Sequence, residues 1–324
     1  MTGNTTVHCN DSMTKEMHLI LIGISVPIFF LGLTFNAMTL WAFCCKFRKW
    51  TETIIFVTNP AVSDSILLLI LPFKMYSYRT TWNLRSSYCT VLECLYFVNM
   101  YVSIYIIVCI TVDRYIAIKY PFKAKYLRSP KKATFACGAA WTLICSLSVF
   151  LKINFNNATG NNKFCFQKTT AQPTKTWIII SIELFGFVIP FLILSFCSFQ
   201  IIVTLCNKSA ESQGNYVFGR SIKIVITNLI IFFICFMPFH AGLLHEFLQE
   251  MSHQDCKLLN NVRLFMSVAS TIASINCCLD GIIYYFASIE TREFLNQTKK
   301  EVNNVNAYTI SFQKTQDAWQ SGIQ

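Results

Sequence analysis

Seven long apolar stretches, each nearly free of charge, leave this chain very few folds to choose from. They fall at 18–45, 53–78, 88–118, 133–152, 176–206, 221–248 and 258–287. A helix needs about 20 apolar residues to cross the hydrocarbon core of a bilayer, and each stretch meets that length. Only short polar segments separate them, so little chain is left for a separate soluble domain. The composition agrees: 13% of residues are charged, where a soluble domain carries about a quarter. The expected fold is an all-α membrane protein, a seven-transmembrane helix bundle over 18–287. An extracellular N-terminus (1–17) precedes it, and a cytoplasmic helix and tail (288–324) follow. In that tail Ile289, Phe294 and Leu295 predict a short amphipathic helix lying on the inner leaflet.

The net charge of +11 invites a nucleic-acid reading, but a membrane chain collects Lys and Arg in its cytoplasmic loops. Lys46, Arg48 and Lys49, then Lys119, Lys123, Lys125, Arg128, Lys131 and Lys132, follow that rule. They put the N-terminus outside and the tail inside; the expected location is the plasma membrane. Met1 to Glu16 are polar and lack the apolar core of a signal peptide, so the first span is expected to act as its own membrane signal. With this orientation the glycosylation sequons at Asn4, Asn10 and Asn157 are extracellular, while Asn207 and Asn296 lie inside. The outer side is basic as well, through Arg79, Arg85, Lys152, Lys163, Lys168, Lys175, Lys257 and Arg263. These charges are either solvated loop charge or a funnel that concentrates an anionic ligand. Of 15 cysteines, Cys9, Cys89, Cys165 and Cys256 face the oxidising side, where disulfides persist.

An ionisable group inside the bilayer costs about 2.5–3.5 kcal/mol on insertion scales, which makes each one a functional candidate. The spans hold Asp64, Lys74, Glu93, Asp113, Arg114, Glu183 and Asp280. Such a set requires partners or a water-filled interior. The 25 residues from Cys89 to Arg114 measure about 37 Å of helix. The cysteine therefore sits at the outer rim when the arginine sits at the inner rim.

Asp113-Arg114-Tyr115 closing the third span, with Tyr120-Pro121 after it, resembles the Asp-Arg-Tyr signature of rhodopsin-like (class A) G-protein-coupled receptors. Other markers agree in order: Asn36, Asp64, Cys89, Trp141, Cys165, Pro190, Cys235-Phe236-Met237-Pro238 and Asp280 to Tyr284. The resemblance covers about residues 15 to 300. Within the family the chain looks like the lipid and nucleotide receptor branch. Leu92 to Val98, Leu127-Arg128-Ser129-Pro130, Leu71 to Met75 and Asn276 to Asp280 are similar to the lysophosphatidylinositol-receptor type. That resemblance implies a lysophospholipid ligand and a heterotrimeric G protein of the Rho-activating class, with calcium mobilisation and arrestin recruitment as further outputs. Four departures bear on activation: Phe236 replaces the usual tryptophan, Gly281 the usual proline, and Ser198 a frequent tyrosine, and Pro60 follows Asn59 where leucine is usual.

The resemblance implies roles residue by residue. Asp113, Arg114, Tyr115, Phe236, Pro238, Asp280 and Tyr284 belong to G-protein coupling and activation, with Asp113 able to hold Arg114 at rest. Asp64, Ser103, Asn276 and Asp280, beside Asn36, resemble the family's sodium pocket. Oxygen-only ligation suits a hard cation; the alternative is a hydrogen-bonded network with one carboxyl protonated. Lys74 and Glu93 are expected at similar depth, either as a mutually neutralising ion pair or as a ligand site. In the second case Lys74 binds a phosphate or carboxylate and Glu93 orients it, with Arg79 and Arg263 nearby. Tyr96, Phe97, Met100, Phe239 and His240 then line the acyl-chain part, or serve as packing alone. Cys89 with Cys165, and Cys9 with Cys256, are the implied disulfides.

Other classes fit less well. A transporter usually shows inverted repeats around a midplane site, and none is visible. No HExxH or G-x-S-x-G motif or metal-ligand cluster suggests an enzyme, and the five histidines are scattered. Residues 264–287 hold no lysine for a retinal Schiff base, and Tyr96 stands where amine receptors use an aspartate. The rival within receptors is an anionic metabolite, nucleotide or short acidic peptide in the same basic pocket.

Overall fold

The protein was analysed as a computed structural model, which describes residues 15–46, 50–79, 82, 83, 85–156, 165, 166, 175–209, 215–252 and 256–282. Seven helices are long and apolar enough to cross a membrane: Glu16–Cys45, Glu52–Arg79, Ser86–Lys119, Pro130–Ile153, Thr176–Asn207, Ile224–Met251 and Leu258–Ile282. No strand occurs among the described residues. A short helix, Pro121–Leu127, lies between the third and fourth spans, with its proline at the first helical position, where the missing N–H costs nothing. The amphipathic helix expected after the seventh span, Asn4, Asn10, Asn157, Tyr284, Cys9 and the side chain of Cys256 lie outside the described residues.

The outer face of the bundle is apolar, and polar side chains are buried inside it beside an apolar core. Leu19, Phe30, Leu69, Phe135, Phe196 and Phe199 point outward, as a lipid solvent requires. Asn36, Asp64, Ser103, Asn228, Asn276 and Asp280 are buried. The second and third spans are the most enclosed, with 72% and 61% of their apolar windows buried against 22% for the first. The third span runs through the bundle from the Cys89–Cys165 disulfide at one end to Arg114 near the other. The sixth span runs to Met251, beyond the 248 expected, because Glu246 and Glu250 turn inward and are buried.

Two prolines explain two local departures from α-helix. Proline has no N–H and its ring crowds the carbonyl four residues back. For Pro190 that carbonyl belongs to Gly186, inside a π-helical turn at Leu184–Val188; for Pro238 it belongs to Ile234, inside another at Phe232–Phe236. In the first turn the Ile189 N–H bonds Leu184 O instead of Phe185 O. The released Phe185 carbonyl accepts the Tyr105 hydroxyl at 2.9 Å, tying the third span to the fifth. Gly186 makes room for this approach, since a Cβ there would lie 2.4 Å from a Tyr101 ring carbon. Gly281 acts similarly in the seventh span: a Cβ would lie 2.8 Å from the Phe35 Cβ. Its carbonyl accepts Thr39 Oγ1 at 3.1 Å.

Candidate functional site

Lys74 faces the bundle interior from the second span and is 3% exposed. Its Nζ donates to Tyr96 Oη at 2.9 Å and to Ser270 Oγ at 3.1 Å, and sits 4.1 Å from the centroid of the Tyr96 ring. Tyr78 is a further hydroxyl partner. The Tyr96 hydroxyl donates to the Ser270 carbonyl at 2.5 Å and lies 2.9 Å from Ser274 Oγ. Among the described residues this cation is surrounded by hydroxyl oxygens and an aromatic face, with no carboxylate in ion-pair contact. A buried charge without a counter-charge is costly, so the site is suited by charge to an anionic group.

Glu93 does not neutralise Lys74, although the two lie on facing spans near the same depth. Its carboxylate pairs with Lys152 of the fourth span and accepts the Phe166 N–H at 2.9 Å. The Cys89–Cys165 disulfide, with Cα atoms 5.7 Å apart, brings Phe166 within reach. Phe166 has a φ of 61°, a left-handed conformation uncommon for a bulky residue, held by its disulfide neighbour and Glu93. Its ring meets Tyr96 edge-on at 6.0 Å. Glu93 therefore ties the fourth span and the Phe166 backbone to the third span. Lys152 and Phe166 are functional candidates that sequence reasoning did not single out for the site.

Arg263 and His240 each meet a carboxylate. Arg263, 6% exposed, lies 3.8 Å from Glu246. His240 Nδ1 lies 3.3 Å from Glu183 Oε1. The His240 ring stacks on Phe187 at 4.8 Å and meets Tyr101 and Phe239 edge-on at 5.8 and 5.7 Å. Phe97 packs on Tyr101 at 4.4 Å, and Met100 is buried in the same apolar cluster. Arg79, at the outer end of the second span, is exposed.

One helical layer further in lies a cluster of oxygens. Asn99 donates to Ser63 Oγ at 3.0 Å and to Asp64 Oδ1 at 3.2 Å, a contact the sequence reading missed. Asn276 Nδ2 donates to Asp280 Oδ2 at 3.0 Å, and Asn36 Nδ2 to the Gly32 and Cys277 carbonyls at 2.9 and 2.8 Å. Asp64 Oδ2, Ser103 Oγ, Asn276 Oδ1, Asp280 Oδ1 and Asn36 Oδ1 are buried without a hydrogen-bond partner. Buried acceptors are rarely left so. These side chains fit a hard cation by donor type.

At this end of the third span Asp113 meets two arginines, Arg128 closely and its neighbour Arg114 at longer range. Arg128 forms a bidentate pair with it, Nε to Oδ1 at 2.7 Å and an Nη to Oδ2 at 2.9 Å, and also reaches Glu52 at 3.0 Å. Arg114 stands 3.8 Å from Asp113 and donates to Thr53 Oγ1 at 2.6 Å. Burial draws the Arg128 pKa down, but the hydrogen bond and charge of Asp113, with Glu52, outweigh it and raise the value above the ordinary one. Tyr115 meets Tyr120 and Phe196 edge-on at 5.8 and 6.1 Å. Phe236 is buried at the end of its π turn against Phe232, with ring centroids 5.9 Å apart, and Pro238 follows.

The family model described as 7 transmembrane receptor (rhodopsin family) matches residues 35–284. The chain is 34% identical to G-protein coupled receptor 35 of Homo sapiens over 264 residues, 81% of this chain and 82% of that protein. It is 31% identical to lysophosphatidic acid receptor 4 of Homo sapiens over 294 residues, 88% of this chain and 78% of that one. To G-protein coupled receptor 55 of Mus musculus it is 33% identical over 297 residues, 87% and 90% of the two chains.

Proposed function

Because the chain belongs to the rhodopsin family of seven-transmembrane receptors, we propose that it detects an extracellular anionic lipid, a lysophospholipid such as lysophosphatidylinositol. One observation carries this reading: Lys74 is buried at the bundle interior with hydroxyl partners and no carboxylate among the described residues. A phosphate there forms charge-assisted hydrogen bonds, the stronger kind. The acyl chain is assigned to the apolar cluster that holds Phe97, Met100 and Phe239. Relatives named as lysophosphatidic acid receptors add support for the ligand class.

Family membership makes a heterotrimeric G protein the partner, and we assign the Rho-activating class as the preferred one. The N-terminus is outside and Arg114 faces the cytosol, following the basic loops at 46–49 and 119–132. Signalling proceeds by release of Arg114 toward the G protein. Arg128 favours that release by occupying Asp113. Asp64, Ser103, Asn276 and Asp280 would hold a sodium ion, which would supply positive charge between two carboxylates.

The test is a panel of lysophospholipids, nucleotides and carboxylate metabolites applied to cells expressing the receptor, read by Rho activation and calcium. A response to lysophospholipids that falls in a surface-expressed Lys74→Gln variant is the expected result. Responses confined to nucleotides or metabolites would replace the ligand class and leave the receptor family intact.

A further inference from the structure

Cys44 and Cys45 are exposed and outside any disulfide, and no role considered above uses them. They close the first span, which ends at Cys45 after 30 residues. At about 1.5 Å per residue such a helix outruns the roughly 30 Å hydrocarbon core, so its last turn lies among the headgroups. Two half-exposed tryptophans mark that level: Trp41 one turn before the pair and Trp50 after it. Tryptophan concentrates at this boundary.

The turn that carries the thiols has two sides. Ala42 and Phe43 are buried, whereas Cys44 and Cys45 point away from the bundle. Their membrane face is that of Arg114, because the first turn of the second span supplies Thr53 to Arg114 and Glu52 to Arg128. Lys46, Arg48 and Lys49 follow directly in sequence, and basic residues there are drawn to the anionic inner leaflet. Residues 279–324 hold no cysteine.

We infer that Cys44 and Cys45 are a site of S-acylation by long-chain fatty acyl groups. The thiolate attacks the carbonyl carbon of an acyl-coenzyme A. A new carbon–sulfur bond forms as the bond to coenzyme A breaks, and coenzyme A leaves as its thiol with the proton the cysteine gave up. No oxidant or reductant takes part. The acyl chains enter the inner leaflet beside the first span and join the basic run as a second membrane signal, the combination that gives stable anchoring. The inference rests on the inward orientation of this face and is independent of which ligand binds outside.

The experiment is acyl–polyethylene glycol exchange on the full-length receptor from cultured animal cells. Free thiols are blocked, thioesters are cleaved with hydroxylamine, and the released thiols take a maleimide–polyethylene glycol that slows the band. Wild type is expected to shift by one or two steps only when hydroxylamine is used. Cys44→Ser/Cys45→Ser abolishes the shift, and Cys206→Ser, at the other exposed thiol near this face, keeps it. Each single variant, Cys44→Ser or Cys45→Ser, lowers the maximal shift by a step, which carries the test if the double variant fails to reach the surface. Absence of a hydroxylamine-dependent shift in wild type, or its full retention in the double variant, overturns the inference. Labelling of the released thiols by an impermeant maleimide in intact cells overturns the orientation and the inference together. Labelling only after permeabilisation, with no exchange, leaves the orientation standing and removes the acylation.

Discussion

Arg128, from the loop after the third span, holds both carboxylate oxygens of Asp113, at 2.7 and 2.9 Å. Arg114, the neighbour expected to claim that carboxylate, meets it only at 3.8 Å and bonds Thr53 more closely. The two arginines compete for one acid, and the loop residue holds it. A guanidinium stays charged across the physiological range, and Asp113 raises the Arg128 pKa further, so the competition does not switch with pH.

Removing Arg128 should return Asp113 to Arg114 and strengthen the resting state. A hydrogen bond to a charged group is worth about 1.5–3 kcal/mol. Arg128→Gln is therefore expected to lower basal nucleotide exchange on a co-expressed G protein by about tenfold. Asp113→Asn frees both arginines and should raise it. An increase with Arg128→Gln would show that the loop arginine restrains the receptor instead.

The Tyr105–Phe185 bond and the Gly186–Tyr101 contact predict a stability pattern in detergent. Gly186→Ala forces a Cβ to within 2.4 Å of the Tyr101 ring, an overpacking that typically costs about 1–3 kcal/mol. Tyr105→Phe loses one hydrogen bond and leaves the Phe185 carbonyl dependent on another partner, about 1 kcal/mol. Thermal unfolding followed by a thiol-reactive dye should rank the melting temperatures wild type, Tyr105→Phe, Gly186→Ala, from highest to lowest.

The unpartnered oxygens of Asp64, Ser103, Asn276 and Asp280 predict that replacing sodium chloride with choline chloride changes the potency of any activating ligand severalfold. Asp64→Asn should remove the dependence by deleting one of two carboxylates. Equal potency in the two salts for wild type would mean that the cluster is a hydrogen-bonded network without an ion.

The spans were legible because lipid demands long charge-free runs, and each proline and intramembrane acid stands out against them. Asp64, Asp113 and Asp280 could be singled out for the same reason. Their partners could not. Whether Glu93 meets Lys74 or Lys152 depends on the rotation of the third span and on where the disulfide draws Phe166, and neither is written in local sequence. Arg128 reads as one more basic loop residue until the short helix Pro121–Leu127 turns it back onto Asp113. Pro190 and Pro238 announce a disturbed helix, yet not that the answer is a π turn that frees a carbonyl for Tyr105.

Lys74 also predicts a gain. Lys74→Met deletes a buried cation that has no carboxylate contact among the described residues. Replacing a buried charge by an apolar side chain of similar volume is often stabilising. The ligand-free variant should melt at a higher temperature than wild type in detergent, while responding less to lysophospholipid.

The central claim, that Lys74 receives the ligand's negative charge, is tested most directly by a charge-deletion cycle. Wild type and Lys74→Gln receptors at matched surface density are titrated with lysophosphatidylinositol and with an uncharged monoacylglycerol of the same chain. Lys74→Gln is expected to weaken the phospholipid by about tenfold or more, in line with about 1.5–3 kcal/mol for a charged hydrogen bond, and to leave the response to the uncharged lipid unchanged. Equal phospholipid potency in the two receptors would contradict it.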